Sequence, residues 1–501
     1  NMDISLSNYQ GFEEGFGSQQ DVDELIKAMQ AGEITGRDTT NELLTQEPLK
    51  AESLEKTLKL LEFRTKDIKL WGAIPKLPAY NTVEEFLQLE SYGTDRGGFY
   101  NEGELSDTED SSYRRRASLV KYIQVTGEVT YQAQIVKSYV DAMRKEIENK
   151  TMWVIRKVNG SLTKANSAMI PQEFDGLYAQ HASIGSAEGD LYTNLNAWQD
   201  SNVVIDLRGA SLTQGDIEDA AINVDANFGN VDTLFAPPTV IAGLAKDYFE
   251  RQRILLGSAG YKGEIGTNPK AIDTTFGSVA LSHDKFMKKD AAKILTAAAT
   301  SAKAPTKPVA VSQGLTGADA NSRFVAGEVH TGELGTVFYA VSAINRYGES
   351  NLTVLNNATK ITLTAAQSVD LKWTDGGGAN VATAYQVYRS KISTSVDATA
   401  DEVLFYPLFK VSVAQRTAGY DGGAATFVRD RNRFLPDTED AFVIEMIDDV
   451  LSFKQLAPIS KMDLAILAMS RRFITFLFGT PQLYTPKKSV RYLNIGPFVA
   501  A

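Results

Sequence analysis

The sequence predicts an α+β body into which an all-β sandwich is inserted, and three stretches carry that reading. A helical stripe runs from about Thr130 to Val158, with Tyr131, Ile135, Tyr139, Met143, Ile147, Val154 and Val158 returning every three, four or seven residues. Residues 200–300 alternate between strand and helix patterns. Short alternating strands follow residue 303, and α/β patterning resumes after 428, so the β module is inserted rather than appended.

In chain order, "QQDVDELIKAMQAGE" places Val22, Leu25, Ile26 and Met29 at helical spacing, and Leu54, Leu58 and Leu61 form a second stripe. Neither makes a domain, so 1–75 reads as an N-terminal arm that must lie on something else. Residues 90–118 are polar and glycine-rich without helical period, and are expected to be disordered or a projecting β-hairpin. Glu102, Glu104, Asp107, Glu109 and Asp110 precede the basic run Arg114-Arg115-Arg116, charges expected to pair with a neighbouring molecule. Strand alternation through Leu119, Lys121, Ile123 and Val125 leads into the long helix, for which Asn159-Gly160 supplies a stop.

Next come the strand "NVVIDLRGA" and a helix opened by Ser211 or Thr213 and closed by Gly229. A strand, the Pro237-Pro238 break and another helix follow. At 303 the Ala/Lys/Pro joint "TSAKAPTKPVAVS" leads into the β module, whose "FYAVSAINRYGES", "VDLKWTD" and "YQVYRS" supply Tyr339, Val341, Trp373 and Tyr385 as core.

The totals exclude several classes. The 501 residues are 43% hydrophobic and 23% charged, ordinary globular values. With no cysteine there are no disulfides or thiolate metal sites. The 62 acidic against 51 basic side chains give a net charge of −11, against the clustered cations that tight nucleic-acid binding requires. The apolar run Leu464–Thr480 is interrupted by Arg471 and Arg472 and reads as buried core rather than a membrane span. No secretory signal is seen, and Asn1 implies either a removed upstream segment or an arbitrary start to the numbering.

No catalytic constellation emerges. His181, His283 and His330 are not at metal-ligand spacing, and no phosphate-cradling loop or nucleophile elbow is present. "GSAGYKGEIG" at 257–266 lacks the strand–helix frame of a cradle, and "SLTK" at 161–164 lacks its partner motifs. Catalytic, cofactor and metal residues are therefore each expected to be none.

The order of arm, hairpin, long helix, α+β body and C-terminal closure resembles the major capsid proteins of tailed bacteriophages, with their HK97-type fold. The stretches carrying it are "KYIQVTGEVTYQAQIVKSYVDAMRKEIENKTMWVIRKVNG", "EFDGL" at 173–177, "LTQGDIEDAAINVDANFGNVDTLFAPPTV" and "PKKSVRYLNI" at 486–495. The resemblance implies an N-terminal arm (1–75), an extended loop (76–128), a peripheral domain with a spine helix (129–200, 271–302 and 429–501) and an axial domain (201–270). The insertion (303–428) is similar to immunoglobulin or fibronectin type III modules, expected to stand off the outer surface on its joint.

It further implies self-assembly as hexamers and pentamers into an icosahedral shell around double-stranded DNA. Portal, scaffold, maturation protease and decoration proteins would be partners, with assembly in the host bacterial cytoplasm and residence in the virion. An encapsulin-like nanocompartment shares the fold, and a cell-surface adhesion protein or an enzyme with an auxiliary β module are the other readings left open.

Overall fold

The structure, a computed structural model, describes residues 63–498 except 94–97, 106–107, 136–140, 183–203, 252–269, 320–321, 325–334, 356–359, 392–399, 401, 419–426 and 467. The chain divides into two compact units, Asn1–Leu61 and Glu62–Ala501, and the described residues belong to the second. The two helical stripes expected in the arm lie outside the described residues.

The stretch expected to end the arm is core instead. Helix α1 (Leu70–Ala73) carries Leu70 and Trp71, and these with Ile68 and Ile74 are at most 7% exposed. Then come β1 (Lys76–Pro78), the antiparallel pair β2 (Val83–Ser91) and β3 (Ser112–Leu119), and β4 (Lys121–Thr130). The alternation expected to run unbroken through Leu119 is interrupted by buried Val120, whose amide donates to the Thr82 carbonyl at a corner between β3 and β4.

Helix α2 (Tyr131–Ile135) is a separate short turn, and the long helix α3 (Ala142–Lys164) begins at Ala142 rather than near Thr130. Asp141 sets that start by accepting from the amides of Met143 at 2.9 Å and Arg144 at 3.3 Å. The expected stop at Asn159-Gly160 is overridden. Asn159 is buried, accepting from Trp71 N at 2.8 Å and donating to Asp284 Oδ2 at 2.8 Å, so its side chain serves tertiary structure instead of ending the helix. Asp284 Oδ2 also accepts from Leu70 N, tying three distant segments together.

Beyond α4 (Leu177–Ala182) lie β5 (Val204–Asp206), α5 (Gln214–Asp225), β6 (Thr233–Ala236), α6 (Pro238–Arg251), β7 (Ala271–Thr274) and β8 (Gly277–His283). Thr213 opens α5 with a reciprocal box: its hydroxyl accepts from Asp216 N, and Asp216 accepts from Thr213 N at 2.8 Å. Pro238 opens α6, where a missing amide costs nothing.

The inserted module contains β9 (Val309–Ala318), β10 (Thr336–Val337), β11 (Tyr339–Asn345), β12 (Gly348–Glu349), β13 (Thr353–Val354), β14 (Ile361–Thr362), β15 (Gln367–Thr374), β16 (Ala384–Ser390), β17 (Phe405–Ser412), α7 (Val413–Ala418) and β18 (Val428–Asp430). One sheet runs β12-β11-β16-β17 with β13 on β11, and the other β18-β15-β9. Tyr339, Val341, Trp373 and Tyr385 share one core between them, each at most 3% exposed. Strand β11 is buried on both faces, because Phe338 and Ala340 enter a second cluster with Tyr388 and Phe405.

The joint expected to let this module stand off is bonded down. Thr300 N donates to the Glu349 carbonyl, Asn345 Nδ2 to that of Lys303, and Thr353 Oγ1 to that of Pro308. Below, Arg389 meets Asp430 at 3.0 Å and Asn432 at 2.8 Å, and Tyr339 donates its hydroxyl to Asp430 at 2.7 Å, all buried. Arg323 bridges to Asp206 of β5 at 2.6 Å, and the sandwich core continues into Phe434 and Leu493 of the body. The module is fixed to the body by a shared core and shared ions.

The chain closes with β19 (Glu439–Ile444), β20 (Leu451–Asp463), β21 (Ser470–Leu483) and β22 (Ser489–Ile495). These complete two sheets, β1-β20-β21-β4 and β5-β22-β19-β6-β8-β7, so segment 429–501 feeds both. The run Leu464–Thr480 is not uniformly buried. In β21 the side chain of Leu477 enters the core with Val154, Val158 and Leu162 of α3, while Phe476 and Phe478 are half-buried; Ile466 and Met469 are exposed. Gly127 lies opposite Phe473, whose ring lies 2.4 Å from where a Cβ would sit, so no side chain fits there.

Asp430→Ala strands Arg389 as an uncompensated buried charge and is expected to lower unfolding free energy by about 3–5 kcal/mol in urea titrations. Glu148→Ala, which breaks the helix-surface pair with Lys145, is expected to cost about 0.5 kcal/mol or less.

Candidate assembly surfaces

The hairpin of β2 and β3 has two unlike faces because alternate side chains of a strand point opposite ways. Half-buried Glu84, Phe86, Gln88, Arg116 and Ser118 form the side toward the body. There Phe86 meets Tyr484 edge-on at 4.9 Å, Gln88 Nε2 donates to the Tyr484 carbonyl, and Gln482 Nε2 donates to that of Glu84. The other face is exposed, with Val83, Leu87, Leu89, Tyr113 and Leu119 at 38–72% around the Glu85–Arg115 pair. At the tip Phe99 is fully exposed and Leu105 is 91% exposed. Exposed apolar side chains grouped around a charged pair in this way are the composition of an interaction surface.

The predicted charges are distributed differently from expectation. Glu102 and Glu104 sit exposed at the tip, where Glu104 accepts from the backbone and side-chain amides of Asn101. Asp107 lies outside the described residues. The three arginines occupy β3, where alternation cannot send consecutive side chains the same way. Arg115 pairs with Glu85 on the outer face, and Arg116 Nε donates to Gln88 Oε1 at 2.7 Å on the inner one. Both therefore have partners within the hairpin. What sequence reasoning missed was the outer face of the hairpin, signalled by Val83, Leu87 and Leu89 falling on one side of a strand, with Glu85 between the first two, within "VEEFLQLES".

A second aromatic surface lies on the sheet that packs against α3. Tyr122 of β4 meets Phe478 edge-on at 4.8 Å, and Phe478 stacks with Phe476 at 4.9 Å, on the side away from the α3 core.

The chemistry of the titratable groups is structural. His181 is buried, its Nδ1 facing the Leu177 carbonyl at 2.9 Å and its Nε2 the Ser489 hydroxyl at 2.7 Å, and burial pushes its pKa down from 6.5 to about 4. His283 is exposed and His330 lies outside the described residues. Burial alone would raise the Asp440 carboxyl, but Lys289 at 2.9 Å and Arg491 at 2.6 Å outweigh it and hold it below the usual range. Among the described residues no cluster of three or more His, Asp or Glu could hold a metal ion, and no helix is long and apolar enough to cross a membrane.

The hairpin thus leaves apolar side chains exposed on one face, and the sheet against α3 carries a second aromatic surface. The chain belongs to the SU10 major capsid protein family, whose model matches residues 37–331. It is 23% identical over 492 residues to the major capsid proteins of Staphylococcus phage K and Staphylococcus phage S25-3, covering 95% of this chain and 96% of each relative. Solved structures similar to it include the capsid of a native GTA particle (7% identity, TM-score 0.43, 90% of this chain and 98% of the other). A chain of Mycobacterium phage Adephagia (9%, 0.41, 93% and 100%) and a holo-encapsulin complex of Synechococcus elongatus PCC 7942 (8%, 0.40, 93% and 99%) are similar too. The protein is a phage major capsid protein, a structural component of the shell. The described elements run from hairpin and long helix through a mixed sheet and a two-sheet module to the closing strands.

Two outcomes follow from these surfaces. Leu87→Asp combined with Tyr113→Asp should leave a folded subunit, by circular dichroism, that sediments without forming particles. Because the folded-state pKa of His181 lies below its unfolded value, its contribution to stability is complete above about pH 6.5 and is lost as pH falls toward 4. The loss across that window is about 3 kcal/mol, and His181→Gln should flatten the pH dependence of the unfolding midpoint.

Proposed function

We propose that the chain assembles with copies of itself, as hexamers and pentamers, into the icosahedral head shell that encloses phage double-stranded DNA. The observation that carries this is the exposed outer face of the β2–β3 hairpin in a member of a capsid family. A standard specific interface buries about 1,600 Å², and a subunit with a two-faced hairpin makes several such contacts at once, so modest individual contacts add through multivalency. In this reading residues 76–128 supply the extended loop over a neighbour, and 129–200, 271–302 and 429–501 the peripheral domain. The axial domain, 201–270, lies toward the centre of each capsomer. The role is purely structural, without catalysis.

The two-sheet module is read as immunoglobulin- or fibronectin type III-like and as facing outward, where decoration proteins are candidate partners. Portal, scaffold and a maturation protease complete the set, with assembly in the host bacterial cytoplasm. A net charge of −11 keeps the wall from adhering to packaged DNA, since affinity for phosphate rests on released counterions.

Expression of the full chain should yield closed shells of uniform size in negative-stain electron microscopy, and a compact monomer persisting at high concentration would refute the assembly reading. The isolated subunit should bind double-stranded DNA no more tightly than micromolar at moderate salt; sub-micromolar affinity would overturn the charge argument.

A further inference from the structure

The tight turn joining β11 to β12 reaches from the inserted module over the start of β4 and the outer side of α3. There it closes an open groove of about 420 Å³. Two aromatic residues, from α3 and from the turn, line it while staying half in solvent, Trp153 at 43% exposed and Tyr347 at 46%, beside residues 121–124 of β4. Lys121, Lys157 and Arg346 stand among them. The Arg346 guanidinium lies over the Tyr347 ring at 4.5 Å, and Lys303 approaches the same ring at 5.4 Å. One carboxylate, Glu173, answers this charge, bonded to Lys157 at 3.2 Å. Exposed aromatics with interleaved cations are the composition of an interface core awaiting its other half.

The chain itself carries a segment of the opposite kind. At the hairpin tip Phe99 and Leu105 are almost wholly exposed, and the exposed carboxylates Glu102, Glu104 and Asp110 surround them. We propose that this groove receives the hairpin tip of a second copy, so that the inserted module forms part of the socket through which subunits join. The inference rests on the assembly reading and names where the hairpin lands. Phe99 and Leu105 would cover the aromatic floor, while the tip carboxylates would face Lys121, Lys157 and Arg346. A second broad groove, beside Phe228 and beneath the hairpin, holds Arg114, Arg116, Lys487 and Lys488 beside Asp448 and Asp449, and is the rival landing place that the test must separate.

With no cysteine in the chain, a designed disulfide reports the contact cleanly. Leu105→Cys combined with Tyr347→Cys, in the full chain assembled into particles and oxidised, should give a ladder of covalently joined subunits on non-reducing gels. The pair Leu105→Cys and Phe228→Cys should give none. Particles that form but cross-link only through Phe228→Cys, or through neither pair, or only within one subunit, would overturn the socket while leaving the shell reading intact. Absence of particles from the unsubstituted chain would instead fail the shell reading. As a second readout, Glu102→Lys with Glu104→Lys should reduce particle yield at least tenfold, and adding Lys121→Glu with Arg346→Glu should restore it. No restoration would count against the pairing.

Discussion

Both body sheets have their central strands supplied by the last part of the chain. Strands β20 and β21 lie between β1 and β4, and β22 and β19 lie between β5 and β6. Until the residues after 438 are in place, β1, β4 and β5 are strands without a sheet neighbour and β6 is paired on one side only, by β8, so backbone groups along them have no partner. The C-terminal segment is thus the condition for the rest: the core against α3 needs Leu477 and Phe453, and the second core needs Val443 and Tyr492. It also sets a demand on the insertion, which must return the chain from residue 303 to residue 430 at a fixed place. The buried Arg389–Asp430 pair at the exit and the half-buried Arg323–Asp206 pair to β5 meet that demand, one fixing the exit within the module and the other the module against the body sheet.

Such closure ranks the contacts. A buried pair such as Arg389–Asp430 is weak evidence of net stability when compared with an apolar substitute, yet its disruption is costly, and fixing one geometry among several is the better-supported reason to retain it. The Asn159–Asp284 knot is of the same kind. It joins α3, the first turn of α1 and the residue following β8, three pieces that no local rule would bring together.

Much of this was legible in the sequence, for identifiable reasons. The helix at 214–225 has a capping box written into Thr213 and Asp216, and the module strands announce themselves by alternation and Gly/Asp turns. The errors share a cause as well. Asn159-Gly160 reads as a stop because local propensity favours one, and it fails because Asn159 has partners more than eighty residues away. The joint at 302–308 has the composition of a linker, but Ala304 is buried and the carbonyls of Lys303 and Pro308 accept bonds from the module. In the hairpin, attention went to the charged letters, whereas the surface without a partner is made of Val83, Leu87 and Leu89. Charges at 115 and 116 find mates across a strand pair, and register is invisible until both strands are placed.

Because the module shares its core with the body, its orientation is inherited by every subunit without a swivel. A lattice made of such units repeats each module at one tilt and one spacing, as teeth on a gear. Any molecule that grips two of them at once would meet a fixed ruler.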